Sequence, residues 1–295
     1  MAGRKASLLA SAAVLALAAG CSVFARGGGG VTLAYLSWDE SVANSFLIEA
    51  ILEDSLGYEG VDLKQTGLNE AFEGVGSGRF DAFADVWMPN HRALVRSIEE
   101  SAELSEEPWY TGRVEYGMAV PYYMKARSIA DLNASEADMI VGIEPDAVLM
   151  ERISEKVIPA YGLDLELVES STPAMLSELD EAYRVREPIV FLAWRPHWMN
   201  EEYDFRYLKD PKNAMGSLND PKSLHAIYHE DFKEDDPAAY ALIDAMRLNE
   251  EQIGTLELQI NHAGDPKQGV RNWLEDRQNR ETVQPWISAA REAQE

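Results

Sequence analysis

Short apolar runs alternate with longer stretches of helical spacing along almost the whole chain. That alternation restricts the fold more than any other feature. Residues 31–38 alternate and are rich in apolar side chains, the pattern of a strand. Residues 41–56 then place Val42, Phe46, Leu47, Ile51 and Leu52 on one helical face, with Gly57 as the C-cap. Residues 61–64 read as a strand, 69–75 as a short helix closed by Gly76-Ser77-Gly78, and 80–87 as a strand. The theme returns with strands over 116–122, 140–143 and 165–168 and a helix over 148–161. Ser171-Thr172-Pro173 opens a further helix to about 186, and the very apolar 189–194 suits the centre of a sheet. Beyond Pro211 the pattern is mostly helical, over 237–248, 249–261 and 266–278. This order predicts an α/β fold with largely parallel sheets. The length of 295 residues allows one large domain or two ordinary ones. Two α/β sheets with a late helical return fit a two-lobed protein with a cleft.

The N-terminus follows a different logic. Arg4 and Lys5 precede an apolar run over residues 8–17, and small residues lead to Cys21. That is the pattern of a signal peptide over 1–20, removed on export. Leu17-Ala18-Ala19-Gly20-Cys21 also resembles a bacterial lipobox, with Leu one place earlier than the commonest spacing. In lipoproteins of that kind the cysteine is acylated and becomes the first mature residue. Cys21 is the only cysteine, so the mature body has no disulfide, thiolate metal site or cysteine nucleophile. The four glycines that follow make residues 21–30 a flexible, lipid-anchored tether.

The formal charge is -25, and cleavage of the leader would remove two more positive charges. Such a surface repels nucleic acid and argues against anionic substrates. Motifs for catalysis are missing: there is no Walker A loop, no Gly-x-Gly-x-x-Gly after a strand and no Gly-x-Ser-x-Gly elbow. Gly74-Val75-Gly76-Ser77-Gly78 has the wrong order for that elbow and reads as a tight turn. His225 and His229 would share one face of an exposed helix, but no third ligand is placed to make a metal site. Glu106-Glu107 and Asp235-Asp236 read as solvated surface. The expectation is a protein with no enzyme activity, no metal and no cofactor.

The tryptophans say more. Of the seven, Trp38, Trp87 and Trp194 end predicted strands, and clefts in open α/β sheets lie beyond the carboxyl ends of strands. Taken alone, each is more often core than ligand wall.

Several stretches raise that weight. Phe191-Leu192-Ala193-Trp194-Arg195-Pro196-His197-Trp198-Met199 resembles the Gly-Trp-x-Pro-His-Trp stretch of glycine betaine binding proteins of ABC importers. Residues 204–212 resemble their Leu-x-Tyr-Leu-x-Asp-Pro-Lys segment. Gly78 to Asp81, leading to Trp87-Met88-Pro89, resembles their Gly-x-x-Asp to Trp-x-Pro. Similar likenesses occur at 117–124, at Gly142-Ile143-Glu144-Pro145 and from Val168 to Met175. The resemblance covers roughly 31–237. It implies a two-lobed periplasmic-binding-protein fold of the second topological type, with lobe one over 31–118 plus 218–290 and lobe two over 119–217. The implied partners are a small quaternary-ammonium zwitterion and the permease subunits of an ABC transporter, with contact to the membrane through the lipid anchor only and none with nucleic acid.

A trimethylammonium group has no N–H, so recognition must use charge and shape, and aromatic faces supply both. Three rings at about 2 kcal/mol each give about 6 kcal/mol, short of the roughly 8 kcal/mol of a micromolar complex. The other end of the ligand must contribute. The resemblance implies a box of Trp38, Trp87 and Trp194, with Tyr116 or Tyr122 as a fourth wall. It also implies that His197 bonds the ligand carboxylate. The first amides of the helix after Trp38 are added candidates, because helix N-termini favour anions. Ala193 and Arg195 depart from the Gly and uncharged residue usual beside the tryptophan. Trp109, Trp198, Trp273 and Trp286 are assigned to packing. Glycine betaine is the leading ligand, with choline or carnitine as the alternative. A sensory module and a hydrolase are the rival classes.

Overall fold

The computed structural model describes residues 30–220 and 222–295. The leader, Cys21 and all but the last of the four glycines lie outside the described residues.

The chain begins with β1 (Val31–Tyr35), α1 (Asp39–Leu56), β2 (Val61–Gln65), α2 (Leu68–Gly76), β3 (Ala82–Met88), α3 (Arg92–Ser97) and β4 (Ala102–Leu104). It continues with β5 (Glu115–Pro121), β6 (Met139–Val141), α4 (Val148–Arg152), α5 (Ile158–Tyr161), β7 (Glu166–Val168), α6 (Thr172–Val185), β8 (Val190–Arg195), α7 (Met199–Glu202) and β9 (Phe205–Tyr207). It closes with β10 (Ser223–His229), α8 (Phe232–Asp235), α9 (Pro237–Ala245), α10 (Glu250–Ala263), α11 (Pro266–Glu275) and α12 (Arg277–Ala293).

Two five-stranded sheets result, ordered β2-β1-β3-β10-β4 and β7-β6-β8-β5-β9. This is the α/β, two-lobed architecture expected from the alternation. The expectation of largely parallel sheets holds for only half of each. In the first, β1 runs parallel to β2 and β3, whereas β10 is antiparallel to β3 and β4. In the second, β6 runs parallel to β7 and β8, whereas β5 is antiparallel to β8 and β9. The reason is connectivity: β5 and β10 arrive from the other lobe and enter their sheets against the βα-connected strands. The apolar 190–195 run is the central strand β8, as its composition requires. β5 lies wholly in the second sheet from Glu115, so the first crossing comes before that residue rather than at 118.

Local chemistry explains most element ends. Gly57 caps α1 at φ 78°, a left-handed position where a Cβ is costly. Ser171 caps α6 by accepting from the Ala174 amide. Three elements differ from expectation. The 148–161 helix is interrupted by a wider π turn over Ile153–Val157. His225 and His229 sit on strand β10, not on a helix, because Leu224, Ala226, Ile227 and Tyr228 are buried by sheet pairing. α12 forms despite the internal Pro285, because Val283, Trp286, Ile287 and Ala290 recur at helical spacing and bury one face.

Candidate ligand-binding site

The carboxyl ends of β1, β3 and β8 meet between the two sheets. A cavity lies there, walled by Trp38, Trp87, Tyr116 and Trp194. Glu40, Asn90, His91, Ile143 and the 147–149 segment complete its lining. Register explains much of this. Tyr116 and Trp194 are directly paired across β5 and β8, so both side chains project from one face of the second sheet. Trp87 comes from the first sheet, near the end of β3, and its ring meets Tyr116 edge-on at 5.7 Å. Trp38 sits beyond β1 as the N-cap residue of α1, and its ring lies 6.2 Å from that of His91.

Each of the three indoles has its N–H bound to a carboxyl group. Trp38 Nε1 donates to Glu144 Oε2 at 3.0 Å, Trp87 Nε1 to Asp85 Oδ1 at 2.8 Å, and Trp194 Nε1 to Glu40 Oε2 at 2.9 Å. The rings are thereby oriented, and no indole donor is left to compete for a ligand.

Glu144 has a second consequence. It lies in the turn after β6, in the second lobe, and accepts from Ser37 Oγ at 2.6 Å and Trp38 Nε1 in the first. It also accepts from the Thr172 amide at 2.8 Å and the Thr172 hydroxyl at 2.9 Å. Asp146 adds another bridge by accepting from the Leu68 amide at 2.6 Å. The lobes are thus joined by hydrogen bonds at the rim of the cavity.

Among the described residues no cationic side chain lines the cavity. Burial holds His91 neutral, its pKa lowered to about 3, and its Nδ1 accepts from the Trp87 amide at 3.1 Å. Its Nε2 therefore carries the hydrogen. Glu40 is fully buried and its carboxyl is pushed far up, first by burial and then by the charges of Asp85 and Glu257. Burial likewise raises Asp85 to about 7 and lifts Glu257 well above the usual carboxylate range. Glu40 Oε1, Tyr116 Oη and Asn90 Oδ1 are buried and have no hydrogen-bond partner among the described residues.

Trp38, Trp87, Trp194 and Tyr116 are therefore brought together as the sequence implied. The remaining candidates are not. Tyr122 falls beyond the end of β5, six residues and roughly 20 Å along the chain from Tyr116. It is 56% exposed, with the Arg206 guanidinium 4.5 Å above its ring. His197 is buried behind Trp194, ring centroids 4.7 Å apart, and is not in the cavity wall. Its Nδ1 accepts from the Met199 amide at 3.0 Å, and its Nε2 lies 3.2 Å from Asp39 Oδ2, out of line for a hydrogen bond. The helical turn begins at Met199 rather than at Pro196, which directs the imidazole towards the start of α1. That helix start carries its own acids, Asp39 and Glu40, and so is poorly suited to a ligand anion. Arg195 pairs with Glu250 and with Asn200 Oδ1 at 3.3 Å, and also lies outside the cavity wall. Sequence reasoning missed Glu40, Asn90 and His91. Their signal was position: two residues after Trp38, and three and four after Trp87, at the carboxyl ends of strands.

Two lobes of this topology with an aromatic cavity between them define a solute-binding protein of the periplasmic type. The chain belongs to the family described as the substrate binding domain of ABC-type glycine betaine transport systems, which matches residues 29–276. It is 34% identical over 150 residues to the glycine betaine/carnitine transport binding protein GbuC of Listeria monocytogenes. That alignment spans 50% of this chain and 48% of GbuC, about half the length of each. Lactococcal OpuAC, solved closed with glycine betaine, superposes with a TM-score of 0.78 at 31% identity, covering 88% of this chain and 100% of that one. A choline binding protein complexed with choline superposes at 0.76 with 24% identity, covering 88% and 91%, a likeness of fold.

Proposed function

We propose that this protein captures a small quaternary-ammonium compound of the glycine betaine, choline and carnitine class outside the cytoplasm and delivers it to an ABC permease. The observation that carries this reading is the enclosure of one cavity by Trp38, Trp87, Trp194 and Tyr116. An onium head fits between their faces without needing a hydrogen bond. Val148 and Leu149, at the start of α4, line the same cavity from the second lobe. His197 is not placed to reach a ligand there.

Lobe closure over the ligand would present one conformation to the permease. Anchoring through an acylated Cys21 is the proposed attachment. Among the described residues no helix is long and apolar enough to cross a membrane. Binding without turnover is the proposed activity.

Calorimetric titration with glycine betaine, choline and carnitine tests the reading. Binding of at least one at micromolar concentration is expected. Trp87→Ala and Trp194→Ala should each weaken it at least 30-fold, given about 2 kcal/mol for a desolvated cation–aromatic contact. Unchanged affinity in both folded variants would dismiss the aromatic enclosure as the ligand site.

A further inference from the structure

We infer that Arg195 and Glu250 form an interlobe latch: the pair belongs to the closed arrangement, holds the turn that carries Trp194 against the other lobe, and slows ligand release. The inference rests on the reading of the aromatic cavity as a ligand site and adds positioning residues that govern its closure.

The pair joins elements of different lobes. Arg195 ends β8 in the second sheet, one residue after the Trp194 wall. Glu250 is the first residue of α10, which packs on α1, the helix laid over β1, β2 and β3 of the first sheet. Arg195 Nη1 donates to Glu250 Oε1. Its other terminal nitrogen, Nη2, stays within the second lobe and donates to Asn200 Oδ1 at 3.3 Å. Asn200 is itself fixed there. Its Nδ2 donates to the Trp194 carbonyl at 2.7 Å and the His197 carbonyl at 2.9 Å, and its Oδ1 accepts from the Tyr207 hydroxyl at 3.1 Å. One side of the guanidinium is thus tied to the turn that carries Trp194, and the other side crosses to α10. The planar fork of arginine makes that double attachment directional.

A second contact runs beside the first. Glu257 follows Glu250 by seven residues, two helical turns, so the two carboxyl groups share one face of α10. Glu257 Oε2 accepts from the Trp198 amide at 2.7 Å. The β8–α7 turn is therefore held at Arg195 and again three residues on. The two contacts differ in exposure. Glu257 is buried, whereas the Arg195 and Glu250 side chains keep 24% and 39% of their surface. A part-exposed pair regains water at little cost when it separates. That suits a contact that has to break each time the lobes part. A contact completed only on closure acts on the rate of release and leaves the rate of encounter unchanged.

The test is stopped-flow tryptophan fluorescence with glycine betaine and with choline chloride, at 0.05 M and 0.5 M KCl. It compares the wild-type protein with Arg195→Gln, Glu250→Gln and the double variant. At low salt each single variant is expected to release ligand about fivefold faster, the upper end for a part-exposed pair, with association within twofold of wild type. The double variant is expected to be no faster than either single one, because both remove the same contact. Raising the salt should speed release from the wild type and leave the variants unchanged. A role confined to stability would lower the melting temperature without this salt-dependent split in rates. Glu250→Gln and the wild-type salt response keep the test alive even if Arg195→Gln fails to fold. Release from Glu250→Gln at the wild-type rate, or losses that add in the double variant, overturns the latch and leaves the ligand site intact. No binding of either compound to the wild type at millimolar concentration overturns both readings together.

Discussion

At the residue scale, the cavity is shaped by what lies behind each ring. Trp87→Phe would preserve an aromatic face and remove the N–H that Asp85 Oδ1 accepts at 2.8 Å. The expected outcome separates two effects: ligand affinity within about tenfold of wild type, and thermal stability lowered by about 1–3 kcal/mol from the buried acceptor left unpaired. Titration and thermal melting of the same sample decide it, and a variant as stable as wild type would show that this bond contributes nothing. His197 offers the converse case. Its ring supports Trp194 and lies close to Asp39. Burial pushes the Asp39 carboxyl up, but the contact with His197 and the Trp198 indole more than offset that and leave it below its usual range. His197→Ala should thus lower the melting temperature while weakening glycine betaine or choline less than fivefold. A loss of a hundredfold in affinity with an unchanged melting temperature would restore the direct ligand role that the sequence implied.

At the element scale, the turn after β6 does for the lobes what the indole bonds do for the rings. The Glu144 carboxylate accepts from the β1–α1 turn of one lobe and from Thr172 of the other. Gly142 permits the turn's close packing: a Cβ there would come within 2.6 Å of the Val168 carbonyl oxygen and of the Met150 side chain. Removing Glu144 releases Trp38 from the second lobe without touching any cavity face. Glu144→Ala is expected to raise the dissociation constant about tenfold or more and to increase the radius of gyration of the ligand-free protein in small-angle scattering. An unaltered affinity and radius would mean that closure does not depend on this carboxylate.

At the scale of the whole molecule, buried acids make stability depend on pH in an unusual direction. The folded-state pKa values of Glu40, Asp85 and Glu257 lie above their unfolded values. Their contribution is full below the unfolded carboxylate range and is lost as pH rises through the folded values. His91, lowered to about 3, acts oppositely but only below its unfolded value of about 6.5. Above that point it is silent. The ligand-free protein should therefore lose stability between pH 6.5 and pH 8, the window that contains Asp85 at about 7. The loss is at most about 1.4 kcal/mol per pH unit for each proton involved. Melting curves that stay level or rise across that window without ligand would contradict the buried-acid account.

How much was legible beforehand follows from range. The alternation of apolar periods and the cap residues Gly57 and Ser171 act within a few residues, and they made most of the α/β elements up to β8 legible, whereas β10 fell in a stretch that reads as helical. The aromatic walls were legible because tryptophans at strand ends fall where an open sheet leaves a cleft. Tyr116 and Tyr122 lie at the same parity on one predicted strand, so alternation gave no ground to choose between them; the end of β5 at Pro121 did. His197 sits in the right motif, but its direction depends on where the turn after β8 begins and on Asp39, far away in sequence. Nothing in the sequence sets Glu40 apart from the other acids of a chain of net charge -25. Only the packing of α1 against β3 and α10, with the Trp194 indole of β8 on one oxygen, removed it from water and left its other oxygen without a partner among the described residues. The sequence by itself determined the α/β alternation, the family and the aromatic walls. Tertiary structure alone decided which polar groups are buried and where they face, because desolvation and charge coupling depend on neighbours brought together from distant parts of the chain.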